Sequence, residues 1–408
     1  MTTSLPDEVP GIRGLFRDRR ARLYFPGLLV SLFGDNVLIL AAGVWVKSLT
    51  GNNGASGLAM FFVLTPTVFA PLFGMLADRV RKRRLMIATN AVMAVVPLLL
   101  LFVRTGADVW LIYLVMLAYG VATVTLSSAQ SGLFVAMFPE QLLGTATGLI
   151  TSLQEGMKVL APAAGAALFV WLGGGTVGVI DALTFAVACG ALLLLTVPES
   201  AAPPRERELR TEISAGIRHV GAVRELRTVV ASAALIMFSV GFITPALFGV
   251  VQSDLHRTPA FLGVVVSMQG MGSVVGGLLT TTVLTRLGET RLVGVGAGLT
   301  ALGTALLAVP TLVTVLLGNG VRGIGLGWMV IGAYTLMQRR TPSHLLGRAA
   351  AALNMLIFAP SAVSLLFAAG LSQLVGHRVL LLITPVVTTA VCIHLLTTVS
   401  PPPVEEEQ

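Results

Sequence analysis

Charge is what this sequence has least of. Only 11% of its 408 residues are Asp, Glu, Lys or Arg, against about 25% in an ordinary soluble domain. That shortage excludes a water-facing globular surface, because the polar groups needed to cover one are missing. Cysteine is nearly absent. Cys189 and Cys392 both sit in apolar stretches without metal-type spacing, which argues against a disulfide scaffold or a zinc centre and leaves packing as their role. No G-x-x-x-x-G-K-[ST] loop and no H-E-x-x-H helix occurs, so neither direct ATP drive nor zinc hydrolysis is written in the chain. The "GASG" of residues 54–57 has the look of a serine-protease tetrad but lacks a matched histidine, and the Gly-rich "GMGSVVGG" and "VRGIGLG" lie inside apolar runs, where they read as helix packing. The expectation is a protein that is not an enzyme and needs no cofactor or metal.

What the sequence has is apolar length. Hydrophobic residues make up 55% of it, with a mean hydropathy of +0.88. Runs near the roughly 20 residues that cross a bilayer recur at 23–46, 55–76, 85–103, 109–136, 143–170 and 177–197. They recur again at 228–252, 260–285, 291–309, 312–337, 349–374 and 379–397. This predicts an all-α membrane protein with twelve transmembrane helices. The first run is too long for a signal-peptide core and shows no small-residue cleavage site, so it is expected to stay as an anchor.

The net charge of +8 and the cluster "RVRKRR" at 79–84 invite a nucleic-acid reading, but apolar runs flank the cluster on both sides. Numbering the loops alternately places 21 of the 27 Lys and Arg on the side of the N-terminus and four on the other. By the positive-inside rule both termini lie in the cytoplasm of a multi-pass protein of the cell's inner (plasma) membrane. The expected surroundings are the lipid bilayer, with no nucleic acid and a monomeric chain.

Residues 198–227 form the longest charged stretch and the natural seam between a six-helix bundle at 1–197 and another at 228–408. Within the seam Leu209, Ile213, Ile217 and Val220 recur at helical spacing, which predicts an amphipathic helix lying on the inner membrane surface. The two sides repeat weakly at an offset of 203: "PEQLLGTA" at 139–146 matches "PSHLLGRA" at 342–349, and Gly74, Leu76 and Arg83 fall opposite Gly277, Leu279 and Arg286. Six-plus-six parallel repeats place a substrate site at their interface, near the midplane.

"GMLADRVRKRR" at 74–84 resembles the loop signature between helices two and three of the major facilitator superfamily. "LFGDN" and "WVKSLTG" around the first helix, "IDALTF" in the sixth and "MQRRTPSHLLGR" after the tenth are similar to its branch of drug, macrolide and siderophore exporters. The resemblance spans the chain and implies the superfamily fold, alternating access and proton-coupled efflux. It also implies a cytoplasmic gate: Gly74 for close helix approach, Asp78 accepting from the start of helix eleven near Gly347 and Arg348, and Arg79 and Arg83 pairing with acids or lipid phosphates. Arg81 stands where the family usually has Gly, Thr281 replaces the Asp of the second-half copy, and Met116 takes the approximate place of an expected Arg. The glycine–proline pattern of antiporters in helix five reads Ala161-Pro162 and Gly165-Ala166 here.

Four charges fall inside the spans: Asp35, Glu155, Lys158 and Arg322. Each costs about 2.5–3.5 kcal/mol there on insertion scales, and together they sum to zero. Glu155 and Lys158, three apart, can pair on one helix face. Arg322 is expected to face a carboxylate, Asp35 or Glu155, across a cavity. Asp35 is the first candidate for proton binding and Glu155 the second. Asp181, near the outer end of the sixth span, reads more simply as a helix-end contact. Asn36, Gln154, Gln269, Asn319 and Asn354 are further candidates for lining the path. The expected function is export of a small hydrophobic or amphipathic compound (drug, antibiotic or siderophore) against inward proton flow. The alternatives are a lysophospholipid mover or uniporter and, less in keeping with the midplane charges, a membrane receptor or scaffold that transports nothing.

Overall fold

The computed structural model describes residues 12–70, 73, 80–197, 209–342 and 345–398. Each of the twelve apolar runs is helical over nearly all of its described residues. Ten helices among them are long and apolar enough to cross a bilayer, one of them the 54-residue stretch Gln141–Leu194, and Asn53–Phe69 is a shorter apolar helix. We number the main helices α1 (Arg19–Thr50), α2 (Asn53–Leu64), α3 (Lys82–Met93), α4 (Val109–Met137), α5 (Glu140–Leu194), α6 (Leu209–Ala222) and α7 (Arg224–Val240). They continue with α8 (Ile243–Gly249), α9 (Leu262–Leu287), α10 (Glu289–Leu307), α11 (Leu312–Arg340), α12 (Leu346–Leu374) and α13 (Gly376–Thr398).

Local chemistry sets the boundaries. Asp18 caps α1 by accepting from the Arg20 amide, and Gly51, at φ 67°, ends it. Asn52 then caps α2 through the amides of Gly54 and Ala55. α5 is two helices, 140–172 and 174–194, broken at Gly173, whose φ of 76° and ψ of 162° suit glycine alone. Trp110 and Trp171, 60% and 78% exposed, stand near this same end of the bundle. Indole rings at that level form the interfacial belt expected of a membrane protein.

Four apolar clusters hold the bundle together. One joins Trp45, Met93, Ile112, Met116 and Tyr119 in the first half of the chain, and another joins Tyr24, Phe134, Met137 and Leu192. A third lies within the second half around Leu226, Met329 and Leu353. The fourth crosses between halves: Val44 of α1 packs with Phe242, Ile243, Leu247 and Phe248, at the end of the bundle remote from both termini. At the terminus-bearing end the clusters stay within one half each. Backbone approach reinforces the crossing, since Gly54 backs onto the Ala369 carbonyl and Gly263 onto the Pro162 carbonyl. The "GASG" stretch is thus a packing surface against α12.

The amphipathic helix of the seam is present as α6, with its contacts turned toward the protein. Val220 is 3% exposed and joins the second-half core, Gly216 abuts the Arg348 carbonyl of α12, and Ile217 is left 38% exposed. Gly216 and Val220, four apart, lie on the packed face, so of the stripe read from the sequence Val220 is buried and Ile217 is exposed. His219 Nε2 lies 3.1 Å from Thr341 Oγ1, tying the seam to the end of α11.

Between lipid-embedded helices there is no water to expel, so tight association rests on small residues that let backbones meet. A side chain added at Gly323 of α11 would strike the Gln269 carbonyl of α9, whereas one at Gly144 meets nothing within 4 Å. Gly323→Val is expected to destabilise the protein by about 1–3 kcal/mol, and Gly144→Ala to be neutral or stabilising by up to about 1 kcal/mol. Thermal unfolding in detergent, followed by size-exclusion chromatography, measures both.

Candidate functional site

A cavity of about 120 Å³ opens inside the first half, lined by Tyr24, Asp35, Asn90, Tyr119, Gln130 and Gln154 among others. It holds about four waters at roughly 30 Å³ each, far below the about 300–1,000 Å³ of sites that enclose drug-sized ligands. Its chemistry is polar and specific. Gln130 Nε2 donates to Tyr24 Oη at 2.7 Å, and Asn90 is anchored by donating to the Met86 carbonyl at 2.7 Å. Asp35 Oδ1 and Tyr119 Oη are buried without a hydrogen-bond partner. An orphaned buried carboxylate oxygen is costly unless a proton or a cation visits it.

A second carboxylate stands beside the first. Asp181, on the 174–194 part of α5, is 1% exposed, and its Oδ2 likewise lacks a partner. α1 and α5 pack so closely at Gly34 that a side chain there would come within 2.5 Å of Asp181 Oδ1. Asp181 also lies within electrostatic range of Asp35. Thr184 Oγ1 reaches Asp181 Oδ1 at 3.5 Å while donating to the Asp181 carbonyl at 2.8 Å. The helix-end reading of Asp181 is corrected: the break at Gly173 places it two turns inside its helix. The glycine that makes room for it was the signal in the sequence.

Arg322 does not face a carboxylate. It is 3% exposed in α11 and donates from Nε to Asn319 Oδ1 at 3.0 Å and from Nη2 to Gln269 Oε1 at 2.5 Å. Asn319 in turn donates to the Val265 carbonyl. The expectation of Asp35 or Glu155 as its partner fails because both lie in the first half, while Arg322 is enclosed between α9, α10 and α11 of the second, where amides supply the acceptors. Glu155 and Lys158 do pair, at 2.5 Å, with side chains 36% and 54% exposed. They do not line the cavity that holds Asp35. The Lys158 carbonyl instead backs onto Gly270 of α9, placing this pair where the halves meet. The four midplane charges are therefore distributed over three places.

Of the gate residues, Gly74, Asp78 and Arg79 lie outside the described residues. Arg83 is described, and it donates from Nε to the Leu192 carbonyl and from Nη2 to the Leu193 carbonyl, both at 2.9 Å. It thus caps the C-terminal end of α5, where a cation complements the helix dipole and its free carbonyls. Of the other amides, Gln154 lines the cavity, Gln269 and Asn319 hold Arg322, and Asn36 donates to the Leu32 carbonyl of its own helix. Among the described residues no group of three or more His, Cys, Asp or Glu is placed to hold a metal ion.

The family model of the Major Facilitator Superfamily matches residues 24–240 and again 229–408. Macrolide efflux protein A of Streptococcus pyogenes is 24% identical over 260 residues, which is 62% of this chain and 64% of that relative. The chain therefore spans under two thirds of that relative's length. The lysophospholipid transporter LplT of Cronobacter sakazakii is 29% identical over 175 residues, 43% of this chain and 42% of that protein. In fold, a variant of the nucleoside transporter NupG superposes with a TM-score of 0.74 at 14% identity, covering 91% of this chain and 98% of that one.

Removing one acceptor from a buried guanidinium leaves charge uncompensated, so Gln269→Leu is expected to cost about 2 kcal/mol of stability. Adding Arg322→Met to Gln269→Leu recovers part of that loss, because the buried charge goes with its partner. Lys158→Ala breaks an exposed i,i+3 pair and costs at most about 0.5 kcal/mol. Unfolding midpoints of the detergent-solubilised variants check all three. A loss of transport in Lys158→Ala would then be read as functional.

Proposed function

The chain belongs to the major facilitator superfamily, and from that premise we propose that it is a secondary active exporter of small hydrophobic or amphipathic compounds, working by proton antiport. Two six-helix units, 1–197 and 228–408, alternate access about the seam at 198–227. The observation that carries this reading is Asp35, a carboxylate with an unpartnered buried oxygen in a polar cavity too small for cargo. A proton fits there; a drug does not.

Cargo then passes between the halves, beside Glu155 and Lys158, in surroundings whose scarcity of charge favours neutral or cationic apolar molecules over polyanions. With both termini in the cytoplasm, as the basic loops direct, the Val44–Phe248 cluster would close the path toward the outer face. The macrolide efflux relatives support a drug or antibiotic cargo, and a multidrug-resistance role follows from export of that kind. The chain works as a monomer in the plasma membrane. It performs no covalent chemistry on its cargo and uses neither cofactor nor nucleic acid.

A lysophospholipid mover is the second reading, favoured by the resemblance to LplT, and it would share the apolar path without needing Asp35. Accumulation in everted membrane vesicles separates the two. Asp35→Asn is expected to lower gradient-driven macrolide or dye uptake by at least tenfold while cargo still binds. Undiminished uptake in that variant would remove Asp35 from the mechanism.

A further inference from the structure

Asp181 has no place in the reading above, yet it is the more deeply buried of two neighbouring acids, and among the described residues no cation stands near either. The groups that surround the pair can be named element by element. α1 contributes Tyr24, α3 contributes Asn90, and α4 contributes Tyr119, whose ring packs edge-on to Phe185 at 5.7 Å. α5 contributes Gln154 and Thr184. Glu155 and Lys158, on that same helix, are taken up by each other, and Arg322 is held by amides of the second half. Among the described residues no positive side chain faces the pair.

Two ionised carboxylates in such a place repel each other with nothing to offset them, while two fully protonated ones would leave no charge to drive exchange. One proton between them resolves both difficulties. We propose that Asp35 and Asp181 bind a single proton as a pair, with Asp35 exchanging it with the cavity and Asp181 acting as a positioning residue. The division of labour follows from placement. Asp35 lines the cavity and Asp181 does not. Asp181 is fixed against Gly34 and Thr184, so it acts through its neighbour. Tyr119 Oη, 1% exposed and without a partner, lines the same cavity as Asp35.

The inference rests on the proton-antiport reading for its role in transport, but its test needs no cargo, so the two can fail separately. Infrared difference spectroscopy of the purified full-length protein, titrated in water and in heavy water, counts protonated carboxyl groups directly. The expected wild-type result is one protonated carboxyl at neutral pH, absent from Asp35→Asn/Asp181→Asn. In Asp181→Asn the remaining group should stay ionised until the proton concentration is at least tenfold higher than in the wild type, because a repelling neighbour has gone. Asp35→Asn gives the reciprocal reading on Asp181, should Asp181→Asn not fold. Two protonated carboxyls lost independently at an unchanged pH, or none at neutral pH, would overturn the shared proton.

Discussion

The approach of α1 to the 174–194 part of α5 at Gly34 is the contact on which the rest depends. With hydrogen in place of a side chain, the two backbones close until Asp181 and Thr184 touch the glycine. That closure brings two acids together, Asp35 at the edge of the polar cavity and Asp181 buried behind it. Glycine at Gly27 repeats the approach seven residues earlier against Ala188 and Ala191, so the geometry belongs to a whole helix face. Because lipid offers no hydrophobic drive between helices, such close backbone packing is also what holds the bundle. The same atoms thus carry stability and the charge arrangement.

Asp35 and Asp181 lie in the first half, and the guanidinium of Arg322 lies in the second, held by Gln269 and Asn319. Among the described residues the ion pairs seen are Lys158–Glu155, Arg339–Glu289, Arg340–Glu225 and those of Asp254 with His377 and Arg378, and none of these joins the first half to the second. What joins the halves is apolar packing of Val44 against Phe242, Ile243 and Phe248, together with close backbone approach at Gly54, Gly263 and Gly270. Dispersion contacts of that kind have no directional partners to leave unsatisfied when they part. The alternating access proposed above asks for contacts of this kind where the halves part.

The helices were legible in the sequence because length and apolarity are read along the chain and need no knowledge of neighbours. The i,i+3 pair of Glu155 and Lys158 was legible for the same reason. The partner of Arg322 was not, since which face of α11 turns toward α9 is settled by Gly272, Gly320 and Gly323 meeting carbonyls across the contact. Asp181 was underrated because its distance from the helix end depends on where the chain turns, and Gly173 sets that turn. Arg83 showed its charge but not its acceptors, which lie 109 and 110 residues away in sequence. Long-range placement, and not residue chemistry, was the missing information.

In the proposed function, cargo leaves only as a proton enters. Purified protein in liposomes, with an imposed pH gradient and a trapped pH dye, tests it most directly against a panel of macrolides, dyes, siderophores and lysolipids. At least one apolar cargo of the panel is expected to dissipate the gradient in liposomes containing the protein and not in empty ones. Cargo crossing at an undisturbed pH gradient would contradict it, and the buried acids would then be structural.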